Sequence, residues 1–154
     1  MRRVRFGWQL VLALAALVAA GPSALAHPRD EATVEQLKTR LSSASPGEKP
    51  HLCVQIAERQ LDEADKLYGA GEEQKAQQLL NDVEGFAELA RDYAIQSRKY
   101  QKQSEIAVRG MTRKLADMLR TLPKDQQAPV EEVITRLERV RDDLLAAMFH
   151  KGAP

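Results

Sequence analysis

The sequence has only one cysteine, Cys53, so the chain cannot form an internal disulfide. The fold must therefore be held together by apolar packing. Cys53 lies beside the apolar stripe of a predicted helix, where a small buried hydrophobic residue is expected. An intermolecular disulfide and a catalytic nucleophile are the alternatives.

The motifs of several enzyme classes are also missing. The chain has no Gly-rich nucleotide loop, no zinc-protease His-Glu pattern, no Gly-x-Ser-x-Gly elbow, no Cys-x-x-Cys pair and no haem attachment pattern. Adjacent acids such as Asp142 and Asp143 point to different sides of a helix, which makes them poor catalytic pairs. We therefore expect a protein that is not an enzyme and that carries no cofactor.

Long apolar runs are missing except at the start of the chain. Residues 10–20 are all apolar, follow three arginines within the first five positions, and precede Ala-Leu-Ala at 24–26. This pattern predicts a secretory signal peptide over 1–26, cleaved after Ala26, and a single domain over 27–154 in the periplasm or outside the cell. The run is short for a membrane span, so we expect no stable anchor after cleavage; an uncleaved anchor is the alternative.

A strong charge imbalance is absent as well. Cleavage after Ala26 would leave 20 basic and 22 acidic residues, a net charge of −2. This value gives no indication of nucleic-acid binding, and an exported protein seldom meets nucleic acid.

Helical periodicity fills the rest of the chain, and no strand pattern interrupts it. It predicts an all-α fold with a short helix over about 31–42, capped by Asp30 or Thr33, and further helices over about 46–70, 72–122 and 129–149. The helix over 72–122 has an apolar seam spaced by threes and fours, with a polar stretch at 97–104. We interpret it as one continuous helix, about 70 Å long at 1.5 Å per residue.

Short connections force the neighbouring helices to fold back antiparallel on this long helix. The helix over 46–70 should cover its first half, and the helix over 129–149 its second half. The predicted architecture is an elongated antiparallel helical hairpin assembly.

The turn between the first two long helices reads LYGAGEEQKA. Tyr68, Gly71 and Ala76 hold the places of the aromatic residue, turn glycine and small alanine of tetratricopeptide-type helix pairs, which this stretch resembles. The wider run over 57–94 resembles helical-hairpin domains of unknown function in bacterial envelope proteins. Both resemblances imply a helical hairpin, and the tetratricopeptide-type turn implies one that holds another protein.

A third segment, LPKDQQ at 122–127, is similar to the LTxxQ signature of Spy-type periplasmic chaperones, with Pro123 in place of threonine. This resemblance implies a stress chaperone that holds unfolded clients on an apolar concave face.

The charges are polarised along the predicted long helix. Residues 61–92 contain nine acids and three bases, whereas residues 93–114 contain six bases and Glu105 alone. The basic half predicts an interaction surface for an envelope protein, for a second copy of the chain, or for anionic lipid or glycan. Its candidate residues are Arg98, Lys99, Tyr100, Lys102, Arg109 and Arg113. A solvated face without a partner is the alternative.

We therefore expect an exported helical protein that acts through protein contact in the bacterial envelope. The periplasmic chaperone is one alternative. A metal-binding helical bundle is the other, since His27 would become the new N-terminus and could chelate copper with help from His51 or His150.

Overall fold

The computed structural model describes residues 32–150, and every regular element in this part is an α-helix. The helices are α1 (Val34–Ser43), α2 (Lys49–Gly69), α3 (Glu73–Ser97), α4 (Gln101–Thr121) and α5 (Lys124–Phe149). The predicted all-α hairpin bundle is confirmed. The predicted signal peptide, its cleavage site and His27 lie outside the described residues.

Helix α1 begins with a capping box. The Thr33 hydroxyl accepts a hydrogen bond from the Gln36 backbone N–H at 3.2 Å, and the Gln36 side chain accepts one from the Thr33 N–H at 2.9 Å. Helix α1 packs mainly against α2, and its Lys38 ammonium lies over the Phe86 ring of α3, 5.8 Å from the ring centroid. Its buried Leu37 contacts Leu52 and Ile56, so this short helix covers the first turns of α2.

The turn between α2 and α3 depends on Gly71. The Gly71 N–H donates to the Tyr68 carbonyl at 3.0 Å, and the Glu72 N–H donates to the Leu67 carbonyl at 2.8 Å. These two bonds form a Schellman motif, whose left-handed position is held by Gly71 with φ +75°. The predicted glycine cap is confirmed, and it lets α3 return antiparallel along α2.

The predicted continuous helix over 72–122 is wrong. Helix α3 ends at Ser97, and α4 begins at Gln101. Between them Arg98 and Tyr100 adopt left-handed conformations, with φ of 58° and 60°. The break falls where the apolar seam carries Ser97, Gln101 and Ser104, because polar seam residues add little packing energy to hold a helix straight. The chain therefore reverses and forms a second hairpin.

Helix α5 starts earlier than predicted, at Lys124 instead of residue 129. Pro123 stands at its N-cap, and Pro129 is accommodated inside the helix, near its start. The Gln127 amide nitrogen donates to the carbonyls of Leu119 and Leu122, at 3.1 and 2.9 Å. Gln127 thus satisfies free carbonyls at the C-terminal end of α4, and this joins the two helices at their turn.

The two hairpins, α2–α3 and α4–α5, pack side by side as a four-helix bundle. Helices α3 and α5 are parallel neighbours: Glu84 pairs with Arg136 at 2.8 Å, and further along both helices Arg91 pairs with Asp143 at 3.0 Å. As predicted, α2 covers α3 and α5 covers α4. Because the two hairpins also pack against each other, the bundle is only as long as one hairpin.

Helices α2 and α4 are also parallel neighbours. The His51 ring stacks on Tyr100 at one end, and Lys114 reaches Asp62 at 2.5 Å about three to four turns further along. The helices therefore follow the order α2, α3, α5, α4 around the bundle, which puts α3 and α4 on a diagonal. One end of the bundle carries the α3–α4 turn together with the N-terminus of α2.

The apolar seam forms the core. Of the predicted seam positions, eleven are buried: Ala76, Leu80, Val83, Ala87, Ala90, Ala94, Ser104, Val108, Met111, Leu115 and Met118. They meet Ala57, Leu61 and Ala64 of α2 and Val130, Val133, Leu137, Val140 and Leu144 of α5. The one buried carboxylate in the described part, Glu105, accepts a hydrogen bond from Arg141 of α5 at 2.8 Å.

Candidate interaction surface

The structure places the predicted interaction residues in the α3–α4 turn and along one stripe of α4. Lys102, Ile106, Arg109 and Arg113 are separated by four, three and four residues, so their side chains leave the helix in nearly the same direction. Arg98, Lys99 and Tyr100 precede them in the turn. We call these seven residues the basic face.

Every member of the basic face reaches solvent. Ile106 is 46% exposed, one of the most exposed large apolar side chains in residues 32–150, and it lies between Lys102 and Arg109. Tyr100 is 37% exposed. The basic face is therefore an accessible surface with an apolar residue at its centre.

Most cations of the basic face have no acidic partner. Arg98, Lys99, Lys102 and Arg113 form no salt bridge with any described residue, whereas Arg109 lies 3.8 Å from the Glu105 carboxylate. The neighbouring Lys114 differs from them, because Asp62 and Asp65 hold it at 2.5 and 3.6 Å. The predicted excess of positive charge over 93–114 is thus concentrated on the basic face.

The α3–α4 turn is fixed by two contacts with α2 and the loop before it. The Tyr100 ring stacks on the His51 ring with centroids 5.4 Å apart and planes 19° apart. The Lys99 side chain lies over Gly47 so closely that a Cβ at Gly47 would come within 2.9 Å of Lys99 Cδ. A side chain at this position would therefore displace the end of the Lys99 side chain.

A cleft opens beside the turn, at the same end of the bundle. It has a volume of about 310 Å³ and lies between the C-terminal end of α1, the N-terminal end of α2 and the turn. Its walls include Arg40, Ser43, Glu48, His51, Leu52 and Tyr100. We call it the end cleft; Tyr100 belongs both to it and to the basic face.

The carboxylate in the end cleft is already bonded. Glu48 accepts hydrogen bonds from the Ser45 hydroxyl at 2.8 Å and from the Ser45 N–H at 3.2 Å. These bonds lower the pKa of Glu48 below its ordinary value, and the nearby charges of Arg40 and Lys99 act in the same direction. Ser45 and Glu48 form half of a capping box, since the Glu48 N–H donates to the Ser45 carbonyl instead of the hydroxyl.

The buried thiol lies elsewhere. Cys53 is fully buried among Val54, Ala90 and the partly buried Leu41 and Phe86. Burial raises the pKa of the Cys53 thiol to about 12, although Lys49 opposes the shift. A protonated and enclosed thiol is a weak nucleophile, and its surroundings are those of a packing residue.

The described residues also limit other site chemistries. Within residues 32–150, no three or more His, Cys, Asp and Glu side chains converge in an arrangement that would hold a metal ion. None of the helices in this part of the chain combines the length and the apolar composition needed to cross a membrane.

The sequence reasoning missed two parts of this surface. Ile106 was not singled out, although its spacing from Lys102 and Arg109 was sufficient to place it on their stripe. The residues of the end cleft, Arg40 and Glu48 among them, come from three separate elements. No local sequence pattern indicates that these elements pack together, because their packing depends on the reversal of chain direction at 98–100.

Comparison of the chain with protein-family models, with curated proteins and with solved structures finds no match in any of the three.

Proposed function

We propose that the protein is an exported, non-enzymatic helical protein that binds another protein of the bacterial envelope through the basic face. The observation that carries this proposal is a row of cations that form no salt bridge with a described residue: Lys102 and Arg113 flank the exposed Ile106 on one stripe of α4, and Arg98 precedes them in the turn. Cations around an apolar residue match the composition of protein interfaces, in which an apolar centre supplies affinity and charges at the rim select the partner.

The dimensions of the basic face fit a segment of polypeptide. Lys102 and Arg113 are separated by eleven residues of helix, about 17 Å at 1.5 Å per residue. A partner helix or loop with acidic residues at a similar spacing could contact both cations and Ile106 together. We therefore infer that the partner presents an acidic surface with an apolar residue at its centre.

A second copy of the chain is one such partner. The α2–α3 hairpin carries most of the nine acids of residues 61–92 on its outer surface, among them Glu63, Asp82 and Asp92. Self-association through these acids would join two different surfaces. Contacts of this kind form either rings or open chains of subunits.

The chaperone alternative has less structural support. It requires a continuous apolar surface for unfolded clients. The large exposed apolar side chains of residues 32–150 come from α3, α4, α5 and the α3–α4 turn, and all but Phe149 are less than half exposed: Leu89, Ile95, Tyr100, Ile106 and Phe149.

The proposal is tested by placing a photo-crosslinking amino acid at Ile106 in cells that produce the protein. We expect a discrete adduct, whose mass distinguishes a second copy of the chain from a different protein. The matched control carries the same group at Glu138, an exposed position on α5 outside both proposed contact surfaces. Equal adducts from both positions, or none from Ile106, would contradict the proposal.

Charge reversal provides the second arm. Combining Lys102→Glu with Arg113→Glu should lower the Ile106 adduct at least fivefold, because both cations that frame Ile106 would then repel an acidic partner. Lys124→Glu, an exposed change at the opposite end of the bundle, should leave the adduct unchanged. An adduct that is insensitive to the double reversal would exclude an acidic partner surface.

A further inference from the structure

We propose that the end cleft binds a carboxylate group of the partner polypeptide. The partner would then present either an acidic side chain or its C-terminal carboxylate to the cleft. This inference rests on the proposed function, because it assigns a chemical specificity to the partner of the adjoining basic face. Besides Lys99 and Tyr100 of the basic face, it concerns residues of α1 and α2.

The first argument is convergence. The cleft brings together side chains from three elements that are distant in sequence: Arg40 on α1, His51 on α2 and Tyr100 in the turn. Its volume of about 310 Å³ is sufficient for a carboxylate side chain with part of its backbone, although not for a folded element.

The second argument is charge. Arg40 forms no salt bridge with a described residue, and Lys99 lies over Gly47 beside the same cleft. Glu48 is the one carboxylate in the cleft walls, and Ser45 already donates two hydrogen bonds to it. Two cations and one carboxylate leave a net charge of +1, which one further carboxylate would neutralise.

The third argument is the set of free donors. The Arg40 guanidinium offers paired N–H groups, whose geometry matches the two oxygens of a carboxylate. The Gln55 amide nitrogen lies 3.1 Å from His51 Nε2. Gln55 and Tyr100 thus hold the His51 ring in place, and Nδ1 is the ring nitrogen without a described partner, available to donate to a carboxylate when it carries a proton.

The fourth argument is preorganisation. Arg98 and Tyr100 adopt left-handed backbone conformations that glycine or asparagine would adopt more easily. Keeping tyrosine there fixes its ring against His51, at a centroid distance of 5.4 Å. Strained backbone that positions a side chain beside a cleft is characteristic of binding sites.

The test is a peptide titration of the purified protein, followed by NMR at the Arg40 side chain and the His51 and Tyr100 rings. The probe is acetyl-Ala-Glu-Ala-amide, and its uncharged match is acetyl-Ala-Gln-Ala-amide. Acetyl-Ala-Ala-Ala with a free C-terminus distinguishes a chain-end carboxylate from a side-chain carboxylate. We expect saturable shifts at these three residues with at least one carboxylate peptide and none with the glutamine peptide.

Variants separate binding from a structural role of Arg40. Arg40→Gln should weaken the carboxylate peptide at least fivefold, and Arg40→Lys should restore part of the affinity, since it returns the charge without the paired donors. Arg120→Gln, an exposed change at the other end of the bundle, should have no effect. Shifts that are absent, that also occur with the glutamine peptide, or that persist in Arg40→Gln would overturn the proposal.

The failure of this inference is distinguishable from the failure of the proposed function. If the basic face binds a partner while the end cleft binds no carboxylate, the Ile106 adduct remains and is unchanged by Arg40→Gln. If the proposed function itself fails, the Ile106 adduct is absent.

Discussion

At the scale of single residues, the most informative positions are those whose backbone favours a different side chain. Gly71 has φ +75° and suits its turn, whereas Arg98 and Tyr100 occupy the same region of φ with large side chains. A non-glycine residue in this conformation costs about 1–2 kcal/mol. The two turns of the chain therefore differ, since one is built for stability and the other retains strain.

Replacing Arg98 by glycine should raise the free energy of unfolding by about 0.5 kcal/mol. The relief of strain, about 1–2 kcal/mol, exceeds the extra entropy that glycine gives the unfolded chain, about 0.5–1 kcal/mol. The measurement is urea denaturation followed by circular dichroism. Gly71→Ala is the control and should lower the free energy of unfolding, because it places a Cβ at a left-handed position. If Arg98→Gly also lowered the free energy of unfolding, the arginine would be shown to stabilise the turn.

Cys53 gives a second prediction at this scale, through its effect on pH dependence. The thiol ionises near pH 9.0 when exposed and near pH 12 in the fold. Its raised pKa means that the buried thiol contributes stability below pH 9, and that this contribution is lost as the pH rises toward 12. Between pH 8 and pH 10 the free energy of unfolding should fall by about 1 kcal/mol more in the wild-type protein than in Cys53→Ala. Parallel pH profiles of the two proteins would contradict this assignment.

At the scale of the elements, the reversal between α3 and α4 determines which surfaces meet. It brings the start of α3 and the end of α4 to one end of the bundle, where Gln126 bonds to Glu73 and Gln127 bonds to Leu119. The same reversal brings Tyr100 against His51 at the other end. Without it, neither the bundle nor the end cleft would exist.

Spin labels at Gln74 and Arg120 test the reversal directly. In the bundle, adjacent helices have axes about 8–10 Å apart. Because α3 and α4 lie on a diagonal of the bundle, we expect the two labels to lie within about 30 Å of each other. A continuous helix would separate these positions by about 70 Å. Double electron–electron resonance on the double cysteine variant in a Cys53→Ala background distinguishes the two distances. A dominant distance above about 50 Å would exclude the bundle.

At the scale of the whole molecule, apolar spacing was sufficient to predict the helices and their inward faces. It identified Leu80, Val108 and Leu115 as core positions, and all three are buried. It did not predict the break at 98–100, because Arg98, Lys99 and Tyr100 include neither glycine nor proline. The polar seam residues Ser97 and Ser104 were the available signal, and they are equally compatible with a bend, a solvated span or a reversal.

The candidate surface was predictable to the same extent. Charge counting located the cations of the basic face, and their exposure follows from the helical period. The end cleft could not be predicted, since Arg40, His51 and Tyr100 meet only after two hairpins and α1 have packed together. Tertiary contacts between residues distant in sequence produce no periodic pattern in a single sequence.

The pairing of α2 with α3 and of α4 with α5 also has a consequence for how the chain acquires its structure. Each hairpin joins neighbours in sequence, so most early contacts close short loops, a topology associated with rapid folding. The α2–α3 unit makes the most extensive contact and is complete by Ser97. The contacts between α2 and α3 therefore need no residue beyond Ser97, whereas the α3–α5 and α2–α4 contacts require the second hairpin.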